Sequence, residues 1–425
     1  MPDEEDGRHV VDPRHPLLTR SALERFDGDM TVRHRAALFA TSTMTGLGIA
    51  SWITRTPAVR DELGASIEAM GLVLLGLSVG SMIGILGAGA LVARTGTRPL
   101  IVLGGALPVL GMLLVALLTP AQSTAGVWVG LFCVGFGSGV AEIGLNVEAA
   151  AVERVLERPV VPVLHACFSL GTVLGGALGI ALTAAGVPLV AHLLLVTALM
   201  AGLAGFAATG VRPVPREPSG DVAAGGTGPR PRSVLTVQVL LIGVITLAMA
   251  FAEGAASDWL PLLVTSDHDA PEVVGSLVFT GFALAMFIGR TAGTPLVARF
   301  GRTSVIRCCA AVGAVGVLTV VLSANPVLTA VGAGVWGLGI AMGFPLAISA
   351  AGDHPTDGDR RVSLVATAGY VAFLAGPPLL GFLGEHLGLQ AAMLVPAALL
   401  VVTVCIAGAT RSAPRREPVA PATPA

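Results

Sequence analysis

The sequence predicts an all-α integral membrane protein of twelve transmembrane helices, arranged as two pseudo-symmetric six-helix halves. Three observations carry this. The 425 residues are 54% hydrophobic and only 12% charged, with a mean hydropathy of +0.82, whereas a soluble chain of this length needs far more charge to cover its surface. The charges sit in short connectors between long uncharged runs of the length a membrane-crossing helix requires. Finally, a segment recurs: SMIGILGAGALVARTG at 81–96 aligns with MFIGRTAGTPLVARFG at 286–301, repeating Ile83, Gly84, Leu91, Val92, Ala93, Arg94 and Gly96 as Ile288, Gly289, Leu296, Val297, Ala298, Arg299 and Gly301. The apolar runs do not alternate with period two, which excludes a spanning β-barrel.

Spans 1–12 are placed at 36–54, 66–92, 100–119, 124–150, 163–186, 188–210, 236–263, 273–297, 304–323, 326–351, 362–384 and 389–410. Spans 1–6 form an N-terminal bundle over 36–210 and spans 7–12 a C-terminal bundle over 236–410. An N-terminal tail (1–35), a Pro- and Gly-rich linker (211–235) and a C-terminal tail (411–425) complete the chain. All the basic residues are arginines. Nearly all of those outside the spans fall in the tails and in the connectors on the tail side, and only Arg55 and Arg60 lie on the opposite side. The positive-inside rule therefore puts both termini of this multi-pass protein in the cytoplasm.

Several classes are excluded. The acidic start MPDEEDGRHVVDPRHP lacks a basic n-region and an apolar h-region, so it is not a signal peptide, and residues 1–33 read as a disordered tail. The five cysteines lie in apolar runs without CxxC spacing and read as packing residues. A net charge of −2 gives no nucleic-acid signal. No phosphate-gripping glycine loop is present, so ATP does not drive the protein directly. Only eight histidines exist, mostly in tails and loops, which argues against a membrane-embedded enzyme. A non-transporting sensor on the same fold would bind a ligand without flux.

GALVARTGTRPLI (89–101) resembles the loop signature of the major facilitator superfamily through Gly89, Leu91, Arg94, Gly96, Arg98 and Ile101. Ala93 stands where the family has an aspartate that latches the cytoplasmic side, and Ala298 stands at the repeat position. Glu148 or Glu153 is then the candidate to pair with Arg94 or Arg98; the alternative is that both are solvated interfacial charges. Arg299 is the repeat mate of Arg94. WITRTPAVRDELGASIEAMGLVLLGLSVGS (52–81) and HACFSLGTVLGGALG (165–179) are similar to the YbjJ-type bacterial branch, itself similar to the fucose-permease group of sugar transporters. The resemblance implies a secondary active transporter working by alternating access. It needs no cofactor beyond an ion gradient, with protons as the expected ion, and a monomer is the default for the fold. A sugar or related small solute is one substrate reading. Proton-driven export of a hydrophobic compound is the other, since the spans hold few amides and the whole chain one tyrosine, Tyr370.

Inside span 4, GVAEIGLNVEAA (139–150) places Glu142 past the middle of an apolar helix. An ionised carboxylate there costs on the order of 2.5–3.5 kcal/mol, so a water-filled cavity, a partner or a proton must offset it. Such a group is suited to binding and releasing a proton. Asn146, one turn on, shares its face. The fucose-permease group has a Glu followed four residues later by Asn at the matching place, which implies a role for Glu142 in proton coupling, although that group's span-1 Asp has no counterpart in 36–54. In the repeat, Phe344 and Ile348 stand opposite Glu142 and Asn146, so the scaffold itself does not demand polar groups. The other reading of Glu142 is a carboxyl held neutral by a neighbour's hydrogen bond.

Glu253 in span 7 is the second candidate carboxylate, placed in the outer half, with Asp258 read as interfacial and solvated. Trp52 and Trp259 read as interface anchors or as a sugar-stacking platform. His165, opening span 5, is a candidate proton relay or inner gate, or an interfacial histidine. Arg290 reads as snorkelling to the surface or as receiving a substrate carboxylate. Arg55 is a candidate external gate with Glu62 or Glu253. Gly76, Gly80 and Gly84, and Gly171, Gly175 and Gly179, make small-residue faces for close helix approach. AGPPLLG (375–381) should break or bend span 11.

Overall fold

The computed structural model describes residues 28–156, 158, 160–211, 235–267, 270–323, 325–354 and 357–411, and among these described residues twelve helical segments are long and apolar enough to cross a membrane. The tail up to residue 27, the linker over 212–234 and the tail from 412 lie outside the described residues, as does the disorder expected of the first of them. The helix of span 1 already begins in the stretch read as tail. Spans 1–9 are single helices: Gly28–Leu63, Ile67–Thr95, Thr97–Leu118, Thr124–Leu156, Val161–Ala184, Leu189–Gly210, Val237–Ser266, Glu272–Phe300 and Arg302–Leu322. Span 10 is two helices, Pro326–Ile340 and Gly343–Gly352, span 11 is Gly358–Leu387, and span 12 is Leu389–Ala392 followed by Leu394–Ile406. Large apolar side chains such as Leu86, Val237 and Val327 point outward on the bundle surface, as a hydrocarbon solvent permits.

Glycine contacts set the helix spacing. A Cβ on Gly80 would stand 2.2 Å from the Phe132 carbonyl oxygen, and one on Gly171 would stand 2.1 Å from that of Thr43. The two small-residue faces therefore pack spans 2 on 4 and 5 on 1, within the N-terminal half. The recurring loop glycines Gly96 and Gly301 have φ of 85° and 78°, a left-handed backbone that favours glycine, so the repeat in sequence is a repeat in backbone geometry.

Two helix expectations fare differently. Span 11 runs unbroken through Pro377 and Pro378. Span 10, expected to be continuous, is interrupted at Ala341–Met342. Pro345 lacks an N–H and its ring opposes the carbonyl four residues back, that of Ala341, and Gly337, Gly339 and Gly343 soften the same stretch. Span 4, with Ile143 at the repeat position of Pro345, stays a single helix.

Within the N-terminal half, span 4 packs on spans 2 and 3, span 1 packs on spans 5 and 6, and span 6 also packs on span 3; the two halves meet chiefly through spans 2 and 11 and spans 5 and 8. The close approaches between halves lie at the end of the bundle away from the termini. There Gly71 faces the Pro377 carbonyl and Gly381, and Gly176 faces Thr280. The Ser276 hydroxyl donates to the Thr54 carbonyl at 3.1 Å. At the terminal end, Gly87 and Gly89 of span 2 have no heavy atom within reach of a Cβ. The halves are thus clasped at the far end and part toward the termini.

Candidate transport site

Span 4 presents Ser138, Glu142 and Asn146 at four-residue steps, hence on one face. Glu142 is exposed, and Ser138 and Asn146 are partly so. The Glu142 carboxylate bonds no described residue, and the Ser138 hydroxyl, although buried, makes no hydrogen bond. Asn146 turns its amide back to donate to the Glu142 backbone carbonyl at 2.8 Å, so it does not hold the carboxylate. Tyr370 of span 11, from the other half, lies within electrostatic reach of Glu142. The exposure of Glu142 therefore opens onto the space between the halves.

Span 7 gives the matching face from the C-terminal half. Between Ala248 and Val264 every residue is buried except Glu253, Ser257 and Asp258. The helix is enclosed there, and the three residues that keep solvent exposure are all polar, so they line an internal space. Asp258 bonds no described residue and is half-buried, which corrects its reading as a solvated interfacial group. Glu253 sits near the middle of its helix. Its two carboxylate oxygens accept from Nη2 of Arg290 at 3.0 and 3.2 Å, and Nε of Arg290 donates to the Ala341 carbonyl at 3.4 Å. Arg290 does not snorkel to the surface. It binds the carboxylate beside it and the carbonyl that the Pro345 break releases, a helix C-terminus being attractive to a cation. His165 is exposed and within electrostatic reach of Arg290, which again joins the halves across one space.

Trp52 and Trp259 are 2% and 0% exposed. They are core side chains, neither interface anchors nor stacking platforms, because the far-end clasp closes over them.

The clasp itself is polar. Arg55, 4% exposed, donates from Nη1 to Thr183 Oγ1 at 2.8 Å and to Glu272 Oε2 at 3.2 Å, and from Nη2 to the Val187 carbonyl at 2.6 Å. Its partner in the other half is Glu272, not Glu62 or Glu253. Arg60 donates to Ser266 Oγ at 2.9 Å. Glu385 of span 11 accepts from the backbone N–H of Ile67 and Glu68 at 2.8 and 3.3 Å, so a carboxylate of one half caps a helix N-terminus of the other, where the helix dipole favours it.

At the terminal end the expected pairing of Glu148 or Glu153 with Arg94 or Arg98 is absent. Glu148 is buried, 3.1 Å from His34 Nε2 and bonded by the Thr97 hydroxyl. Glu153 accepts from the N–H groups of Val160 and Val161 at 2.7 and 3.0 Å, capping span 5. Arg94 and Arg98 are exposed and bond no described residue. Arg299 lies over the Phe300 ring at 5.3 Å. The C-terminal half ties the same corner with different chemistry: Arg302, opening span 9, pairs with Asp353 at the end of span 10 at 2.5 Å.

Two repeated six-helix bundles with charged groups facing each other across their interface define the fold of a secondary transporter. A family model described as Major Facilitator Superfamily matches residues 4–152 and 259–424, and the chain belongs to that superfamily. An uncharacterised MFS-type transporter of Yersinia pestis is 28% identical over 369 residues, 86% of this chain and 93% of the relative. Among solved structures, a mutant of the nucleoside transporter NupG superposes with a TM-score of 0.73 at 12% identity, covering 88% of this chain and 99% of that one. The Escherichia coli fucose:proton symporter FucP superposes with a TM-score of 0.60 at 16% identity, covering 89% and 98%. Both share the fold.

Proposed function

We propose that the protein is a proton-coupled secondary transporter of a small solute, working by alternating access, with Glu142 as the coupling carboxylate. The observation that carries this is the Glu142 side chain, which opens onto the space between the halves with no bond from a described residue. Its helix forms one wall of the site, and Glu253, Ser257 and Asp258 line the other. The far-end clasp and the parted terminal ends describe one of the two states that alternating access requires. With both termini cytoplasmic, as the arginine distribution indicates, this is the state open to the cytoplasm. FucP, a fold relative, is named as a proton symporter, which supports proton coupling in this chain.

Arg55, Glu272 and Glu385 serve as the outer gate in this reading. His165 sits at the mouth of the site as a relay, and Arg94, Arg98 and Arg299 are the surface charges of the inner gate. Glu148 serves that gate indirectly, by fixing spans 1, 3 and 4 as one body. Asn146 shapes the backbone at Glu142.

The test uses proteoliposomes holding a trapped pH dye, with imposed gradients of sugars, organic acids and drug-like cations. Solute-dependent proton movement that disappears in Glu142→Gln is the expected result. Solute flux without proton movement, unchanged by the substitution, would overturn the assignment.

A further inference from the structure

Arg290 is 41% exposed and its Glu253 partner 23%. Two of its three nitrogens are engaged within its own half, Nη2 by Glu253 and Nε by the Ala341 carbonyl. Nη1 bonds no described residue. The guanidinium is therefore fixed in orientation by a carboxylate and by the break in span 10, with one N–H₂ group unspent, and it lies within electrostatic reach of His165 in the opposite half. A charged donor group held in place before a ligand arrives loses little side-chain entropy on binding it, and its hydrogen bond to a carboxylate oxygen is charge-assisted.

We infer that the transported solute is a small organic carboxylate, received by Nη1 of Arg290. This rests on the transport reading above and names its substrate class. Glu253 of span 7 is paired with Arg290 and His165 of span 5 lies within its electrostatic reach; the other ionisable groups of the site are Asp258 of span 7, Glu142 of span 4 and Tyr370 of span 11. Spans 1 and 10 bring no ionisable side chain over 36–54 and 326–352. Without a proton, Glu142 would repel an incoming anion. With one, it no longer does, and the charge the proton removes equals the charge the carboxylate brings. Loading one proton and one carboxylate leaves the net charge of the site as it was, so the site is not forced to hold an extra charge in a low-dielectric span.

The experiment measures thermal stabilisation of the purified full-length protein at constant ionic strength. The probes are lactate, gluconate, succinate and benzoate, their neutral amides, and the amines ethanolamine and glucosamine. At least one carboxylate is expected to stabilise the wild type while its amide does not. Arg290→Gln should weaken that carboxylate by about ten- to a hundredfold, the loss of a hydrogen bond to a charged group. Because Arg290→Gln leaves Glu253 without its partner and can impair folding, Arg290→Gln/Glu253→Gln, which removes both charges, is measured beside it and should show the same loss. Stabilisation by an amide or an amine in place of every acid, no response to any acid, or equal binding by the double variant would each overturn the inference. Proton-coupled movement of a neutral solute, dependent on Glu142, would leave the transport reading standing while this inference fails. Carboxylate binding through Arg290 without flux in proteoliposomes would overturn the transport reading and keep only Arg290 as a carboxylate-binding group.

Discussion

Nη1 of Arg55 lies 3.2 Å from Oε2 of Glu272, and these two residues, 217 positions apart, come from opposite halves of the molecule. Arg55 also holds Thr183 and the Val187 carbonyl of its own half. Losing Glu272 therefore leaves the arginine satisfied within the N-terminal half and removes only the link across. Glu272→Ala should weaken the far-end clasp by about 0.5–1.5 kcal/mol, partly screened because the glutamate is 33% exposed. In a cysteine-free background with spin labels at Glu62 and Leu387, both exposed at that end, the population of long distances should rise. An unchanged distribution would remove Glu272 from the gate.

Ser66 and Glu385 both cap the start of span 2, but only Glu385 reaches it from the other half: Ser66 Oγ accepts from the Ala69 N–H at 3.1 Å. Ser66→Ala should cost about 0.5–2 kcal/mol of stability whatever the state. Glu385→Ala should instead shift the same label distances as Glu272→Ala. Equal behaviour of the two variants would contradict the assignment of Glu385 to the clasp.

Gly80→Ala and Gly171→Ala push a Cβ against backbone carbonyls that cannot move aside. Each should lower the stability of the detergent-solubilised protein, overpacking costing about 1–3 kcal/mol. Gly87→Ala meets nothing and should be neutral or stabilising, since alanine is the better helix former by about 0.8–1 kcal/mol. Thermal unfolding of the three variants separates these outcomes.

The break in span 10 should close in Pro345→Ala, which restores an N–H facing the Ala341 carbonyl. Hydrogen exchange over residues 341–346 is expected to slow, and Arg290 loses an acceptor. Unaltered exchange would assign the break to the glycines around it.

The twelve spans and the two-bundle repeat were legible because hydropathy and the repeated loop are local signals. So was the polar face of Glu142 and Asn146, since helical spacing alone sets it. The partners were not. Glu272, Glu385 and His34 lie far along the chain from Arg55, Ile67 and Glu148, and His34 falls in a stretch whose polarity reads as tail. Proline alone misled: Pro377 and Pro378 sit inside an intact helix, while Pro345, among glycines, coincides with a break. Asp258 was misread because its neighbour Trp259 looks interfacial in sequence, whereas packing buries Trp259 and the residues that follow it.

The central claim is that Glu142 carries the coupling proton. The most direct test compares two modes of transport in Glu142→Gln proteoliposomes, using the solute the panel identifies: exchange of labelled for unlabelled solute without a gradient, and accumulation driven by an imposed pH gradient. The account predicts that exchange survives and gradient-driven accumulation is lost. Accumulation at the wild-type level in the variant would contradict it.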